Sequence, residues 1–163
     1  MNLDPSIFKA YDVRGVYPRE INEETARAIG AAFVAYLKAK RIAVGRDMRL
    51  SSPSLAAAFI DGATSQGADV VDYGMMATDM LYFAVATDTL EGGVQITASH
   101  NPKQYNGMKM VRQEAFPLSG NASCRTIFMP LYCLGLCDAV TCTPHSSPSL
   151  ATAKYSMSVA IIP

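Results

Sequence analysis

Short apolar runs alternate with stretches of helical period through the first two thirds of this chain, and that alternation restricts the fold more than any other feature. Ile42-Ala43-Val44, Asp69-Val70-Val71-Asp72-Tyr73-Gly74 and Gly93-Val94-Gln95-Ile96-Thr97 read as strands, too short for buried helices and bounded by turn residues. Between them, apolar residues recur every three or four positions, the mark of an amphipathic helix. In Asn22 to Lys40, the side chains of Ala26, Ile29, Phe33, Tyr36 and Leu37 share one face, predicted to be core. Asn22 is the predicted N-cap, Glu23 and Glu24 suit the positive helix end, and Lys38, Lys40 and Arg41 suit the negative one. A second helix is predicted to begin at Pro53 with Ser52 as its cap, burying Leu55, Ala56, Phe59, Ile60 and Ala63. A third runs from Thr78-Asp79 to about Thr87. Phe8 to Gly15 is strand-like, and Met108 to Val111 is a returning strand after a turn at Asn106-Gly107. Strand–helix–strand repeats connect right-handedly and place helices on both faces of a sheet. The expected fold is therefore α/β, a three-layer α/β/α sandwich with a mixed, mostly parallel sheet.

In such sheets ligands bind at loops off the carboxyl ends of the strands. Two loops of that kind carry polar chemistry. The first, Gly45 to Ser52, holds Arg46, Asp47, Arg49 and Ser51, and reads either as an anion site at a helix start or as an ion-pair network bracing the loop. The second is Thr97-Ala98-Ser99-His100-Asn101-Pro102. Pro102 biases Asn101 away from the α region and fixes the exit of the loop. Ser99 is expected to be exposed between stiff flanks, within reach of His100 and Lys109. A serine that carries phosphate needs exposure and cationic donors, and phosphoryl transfer needs its charge neutralised. Lys109 can act as a point charge or a base, and His100 can donate to a phosphate oxygen or move a proton. Spacing alone favours a polar turn whose residues satisfy one another. Met75, Met76 and Met80 are expected to fill gaps in the core rather than to bind a soft metal.

The segment Thr97 to Pro102, followed by Tyr105-Asn106-Gly107-Met108-Lys109, resembles the phosphoserine loop of the α-D-phosphohexomutases. Phe8-Lys9-Ala10-Tyr11-Asp12-Val13-Arg14-Gly15 and Val44-Gly45-Arg46-Asp47-x-Arg49-x-Ser51 match the same family, in its order and roughly its spacing. The resemblance covers about residues 6 to 118, the first of the family's domains. It implies an isomerase of carbohydrate metabolism that interconverts hexose 6-phosphate and hexose 1-phosphate, with mannose the foremost sugar. Phosphorylated Ser99 would be the donor, His100 and Lys109 would move protons, and Tyr11 and Arg14 would hold substrate. The resemblance also implies Mg2+, bound through the phosphate on Ser99 and through an aspartate loop of a second domain that this chain lacks. Without that loop and the family's sugar and phosphate loops, the isolated chain is expected to be inactive. The alternative is a non-catalytic fragment that at most binds phosphosugar or phosphate weakly. A hydrolase or kinase reading finds no nucleotide loop and no Ser-His-Asp set.

Composition limits the partners. Formal charge is zero, which argues against nucleic acid. The expected partner is a hexose phosphate. No run of about 18 apolar residues predicts a membrane span, and the N-terminus has neither the basic start nor the apolar core of a signal peptide, so a cytoplasmic location is expected. Composition also divides the chain. Residues 1–120 carry 12 of the 14 Lys and Arg and 13 of the 14 Asp and Glu. All four cysteines, Cys124, Cys133, Cys137 and Cys142, lie in residues 121–163. A first domain over 1–120 and a divergent tail over 121–163 are expected, the tail arising from a lost reading frame or from a genuine extension. A zinc site among these cysteines and His145 lacks the paired spacing such sites use.

Overall fold

The computed structural model describes residues 3–9, 11–116 and 118. The expected tail, with its cysteines, lies outside the described residues.

Five strands form one sheet: β1 (Val13–Val16), β2 (Arg41–Arg46), β3 (Asp69–Met75), β4 (Gly92–Ile96) and β5 (Tyr105–Arg112). Their order across the sheet is β1-β5-β4-β2-β3. β4 and β3 both pair parallel with β2, whereas β5 runs antiparallel to both β4 and β1. Every strand except β5 therefore points the same way, and the sheet is mixed and mostly parallel. Helices α1 (Glu23–Leu37) and α2 (Ser52–Thr64) cover one face, and α3 (Thr78–Thr87) covers the other. This is the three-layer sandwich that the alternation predicts.

Local chemistry explains the helix ends. The Asn22 carboxamide accepts from the Thr25 amide at 2.9 Å, capping α1, and Glu23 and Glu24 follow in its first turn. Lys38 closes α1 in a left-handed conformation (φ 53°). Helix α2 starts one residue earlier than predicted, with Ser51 at the cap position. The Ser52 hydroxyl is committed elsewhere, donating to Asp47 Oδ1 at 2.5 Å. Two positions of the predicted α1 face are corrected: Tyr36 is exposed, and Leu37 is only half-buried, packing at the margin of the core in the last turn of the helix.

Beneath α1 and α2 lies the larger core, built around Phe33, Phe59, Leu55, Val44, Ile96 and Met108. Phe33 and Phe59 stack tilted at 6.0 Å between centroids. The helices meet backbone to backbone at Gly30 and Gly62. A Cβ on Gly30 would lie 2.2 Å from the Phe59 carbonyl oxygen, and one on Gly62 would lie 1.9 Å from that of Arg27. The core under α3 is smaller, with Ala43, Leu81, Val85, Leu90 and Val111. Here the methionine expectation is corrected for two of three residues. Met75 and Met80 are exposed, and only Met76 packs against the core. A second correction concerns Asn106-Gly107, which lies inside β5 rather than in a turn. Asn106 is fully buried, and its amide donates to the Ser51 and Ser52 hydroxyls at 2.8 and 3.0 Å.

Candidate active site

The loops after β2, β3 and β4 leave the same end of the sheet and border a cleft of about 830 Å³. Ser99, Thr97 and Lys103 line it from one side, Asp47 and Ser51 from another, and Ala77 and Thr78 from the start of α3. Gln95, Tyr17, Met76 and Arg49 are also part of its wall.

Ser99 is exposed at the tip of the third loop and has φ 54°, the left-handed region that costs a non-glycine residue on the order of 1 kcal/mol. Hydrogen bonds hold it there. Its amide donates to Thr97 Oγ1 at 2.9 Å, and the Asn101 amide and carboxamide both donate to the Ala98 carbonyl, at 3.1 and 2.7 Å. The larger restraint is Arg49. One terminal nitrogen donates to the Pro102 and Tyr105 carbonyls, each at 3.0 Å. The other donates to the carbonyls of Ser99 at 3.1 Å and Asn101 at 2.7 Å. Nε donates to Asp47 Oδ2 at 3.2 Å. The five N–H bonds of the guanidinium thus meet five acceptors. The sequence offered bracing within the first loop as one reading. The Asp47–Arg49 ion pair is present, whereas Arg46 takes no ion pair among the described residues. The sequence did not signal that Arg49 reaches across to the serine loop, because its partners are backbone carbonyls 50–56 residues away.

The remaining candidates stand elsewhere. His100 is exposed beside Ser99 and does not line the cleft. Lys109 sits in β5 directly opposite Gln95 and is half-buried. Arg14 in β1 is opposite Gly107, so Arg14 and Lys109 share one face of the sheet on a diagonal. It is the α3 face, since a Cβ on Gly93, next to Gln95 on the same face of β4, would meet Val85 of α3 at 2.5 Å. Arg14 pairs with Asp12, and its Nε is buried without a hydrogen-bond partner among the described residues. Tyr82 of α3 has its pKa raised, by burial first and by the charge of Asp12 second. Tyr11 is 73% exposed just before β1. The structure therefore places Arg14 and Lys109 on one face of the sheet, away from the lining of the cleft, sets Ser99 on the cleft, and leaves Tyr11 and His100 on the surface.

Among the described residues no three His, Cys, Asp or Glu side chains converge as a metal site. Ser99 through a phosphate would supply a single ligand, so these residues do not by themselves fit Mg2+. Among the described residues no helix is long and apolar enough to cross a membrane.

The sequence pattern of the phosphoglucomutase/phosphomannomutase α/β/α domain I matches residues 5–127. A phosphomannomutase of Klebsiella pneumoniae is 48% identical over 120 residues, covering 74% of this chain and 76% of that relative. That of Escherichia coli strain K12 is 47% identical over 120 residues, covering 74% of this chain but 26% of its own length. Among solved structures, a phosphoglucomutase/phosphomannomutase family protein of Burkholderia thailandensis superposes with TM-score 0.75 at 35% identity, over 82% of this chain and 31% of that one. A phosphomannomutase-like protein of Thermus thermophilus gives TM-score 0.68 at 30% identity, over 74% and 28%. The chain thus spans about a quarter of the length of most such relatives. The sandwich, the serine loop and these likenesses agree, and the chain belongs to the phosphoglucomutase/phosphomannomutase family, whose α/β/α domain I it carries.

Proposed function

We propose that this chain supplies the phosphate-carrying serine of a hexose phosphomutase. The observation that carries the reading is Ser99 itself, exposed on the cleft in a left-handed conformation that its loop holds fixed. A nucleophile kept on a rigid, pre-shaped loop needs little reorganisation when it reacts.

The transfer balances as follows. The oxygen of a sugar hydroxyl attacks the phosphorus on Ser99 Oγ. The new P–O bond forms as the Oγ–P bond breaks, giving a hexose bisphosphate. The hydroxyl proton ends on Ser99 Oγ, carried by Lys109 or His100. The bisphosphate turns over, and its other phosphate returns to Ser99 by the reverse step. Arg14, ion-paired with Asp12, and Lys109 stand half-buried on one face of the sheet, two cations suited to a phosphate. Lys103 adds a cation at the cleft. Mg2+ belongs to this proposal only with ligands from beyond the described residues, and no step is assigned to it.

The test joins this domain to the remainder of a relative and compares Ser99→Ala with the parent in a hexose phosphate mutase assay. Activity should fall to background, and an unchanged rate would overturn the role of Ser99. The Arg14–Lys109 pair also favours a second reading, a fragment that binds phosphosugar or phosphate weakly without turnover. Turnover by the purified chain would reject it, and binding without turnover would support it.

A further inference from the structure

We propose that Arg49 is the positioning residue of the reacting serine: it fixes the backbone hand of Ser99, and so the direction of its hydroxyl, without touching substrate. The inference rests on the reading of Ser99 as phosphate carrier.

Three observations carry it. First, Ser99 lies at positive φ, which a serine does not hold unless its surroundings impose it. Second, the guanidinium binds the Ser99 carbonyl, two further carbonyls of the same loop at Asn101 and Pro102, and that of Tyr105 where β5 begins. With its donors so committed, Arg49 has none left for an anion in the cleft. Its action on a phosphate must pass through the loop. Third, the two sides of the Ser99 backbone are tied to one network. The Ser99 amide donates to Thr97 Oγ1, and the Thr97 amide donates to the Gly107 carbonyl at 2.9 Å. The Gly107 amide donates to Asn106 Oδ1 at 2.8 Å. Asn106 donates to Ser52, Ser52 to Asp47, and Asp47 accepts from both the backbone amide and Nε of Arg49. Ser52 and Asn106 are fully buried, so the bond between them, at the centre of this network, is shielded from competing water.

A lysine cannot reproduce the fork, because its single ammonium is a point charge that cannot span four carbonyls. Arg49→Lys keeps the charge and removes the geometry. The experiment uses the full chain, isotope-labelled, as wild type and Arg49→Lys, with two readouts. The first is the NMR intraresidue amide-to-Hα NOE of Ser99, strong at positive φ, together with amide exchange in residues 99–105. The second, with the same two domains each joined to the remainder of a relative as above, is phosphate gained at Ser99 from hexose 1,6-bisphosphate, followed by mass against time at several concentrations. In the variant the NOE should weaken to an average value and loop exchange should speed about tenfold, with β2 and β4 unchanged. Phosphate uptake should slow about tenfold at an unchanged half-saturating concentration, a kcat effect that general loosening of the fold would not isolate. A variant that retains the Ser99 NOE, or takes up phosphate at the wild-type rate, overturns the proposal. If the wild type takes up no phosphate, the carrier reading fails, and the NOE still decides whether Arg49 sets the hand of Ser99. Should Arg49→Lys fail to fold, Asp47→Asn loosens the same clamp from its anchored side and is read in the same way.

Discussion

The two faces of the sheet are built to different ends. On the α1/α2 face, helices touch backbone to backbone, large side chains are fully buried, and the core runs unbroken from Leu3 to Leu118. On the α3 face the core is small, Phe83, Met80 and Met75 are exposed, and the buried Arg14 Nε and Gln95 Oε1 have no hydrogen-bond partner among the described residues. One face is closed and carries stability, whereas the other is left polar and incomplete, and it is the face on which Arg14 and Lys109 stand. The difference teaches that the candidate chemistry is placed where packing is least demanding, which matches how buried unpaired groups cluster at functional sites.

Substitutions can break or sharpen this contrast. The largest effect is expected at the helix crossing. Gly62→Ala forces a Cβ to within 1.9 Å of a backbone oxygen that cannot swing aside, and should cost about 3 kcal/mol or more. Urea unfolding would measure it, and a loss of under about 1 kcal/mol would mean the helices part easily and the closed face is softer than described. Next comes Asn106→Leu, which leaves the buried Gly107 amide without its acceptor and takes a donor from the Ser51 and Ser52 hydroxyls, and should cost about 2 kcal/mol by the same measurement.

A smaller effect is expected from Glu23, where the closed face meets the cleft. Hydrogen bonds from Ser54 and from Tyr17, the latter at 2.7 Å, hold its carboxyl below the ordinary value of 4.5. A depressed pKa means that the folded state favours the carboxylate. The contribution is therefore complete above pH 4.5 and is lost as pH falls through the lower folded value. Glu23→Gln should flatten the acid side of the stability-versus-pH curve and leave the neutral side parallel to wild type. The smallest effect belongs to Phe83→Ala. At 70% exposure this side chain should matter by no more than about 0.5 kcal/mol. A loss several times larger would show that the open face contributes more than its burial indicates.

What the sequence disclosed follows the same division. Strands and helices were legible because their periods report burial, and burial is strong beneath α1 and α2. Asn22 announced itself because an N-cap is a local bond between near neighbours. The misreadings fall where a distant partner overrides local preference. Asn106-Gly107 has turn composition, yet the buried carboxamide finds Ser51 and Ser52 more than 50 residues away and stays in a strand. Ser52 was the expected cap, but Asp47 takes its hydroxyl and the helix begins a residue sooner. Met75 and Met80 read as core because thioether side chains usually are, and no local pattern reveals that α3 leaves its outer side uncovered. The exposed position of Ser99 on its loop was legible from its motif. Arg49 was legible only as a loop cation, since nothing in a sequence marks which carbonyls a guanidinium will hold.

The clamp also bears on the order of folding. Arg49 and the carbonyls it binds are separated by 50–56 residues, a span that includes α2, β3 and α3. Closing such a loop is entropically slow unless other contacts have already brought its ends together. The pairing of β2 with β4 does so, setting Arg46 beside Ile96, immediately before the two loops. The serine therefore acquires its shape only after the centre of the sheet has formed, and a nascent or misfolded chain carries the residue without the conformation.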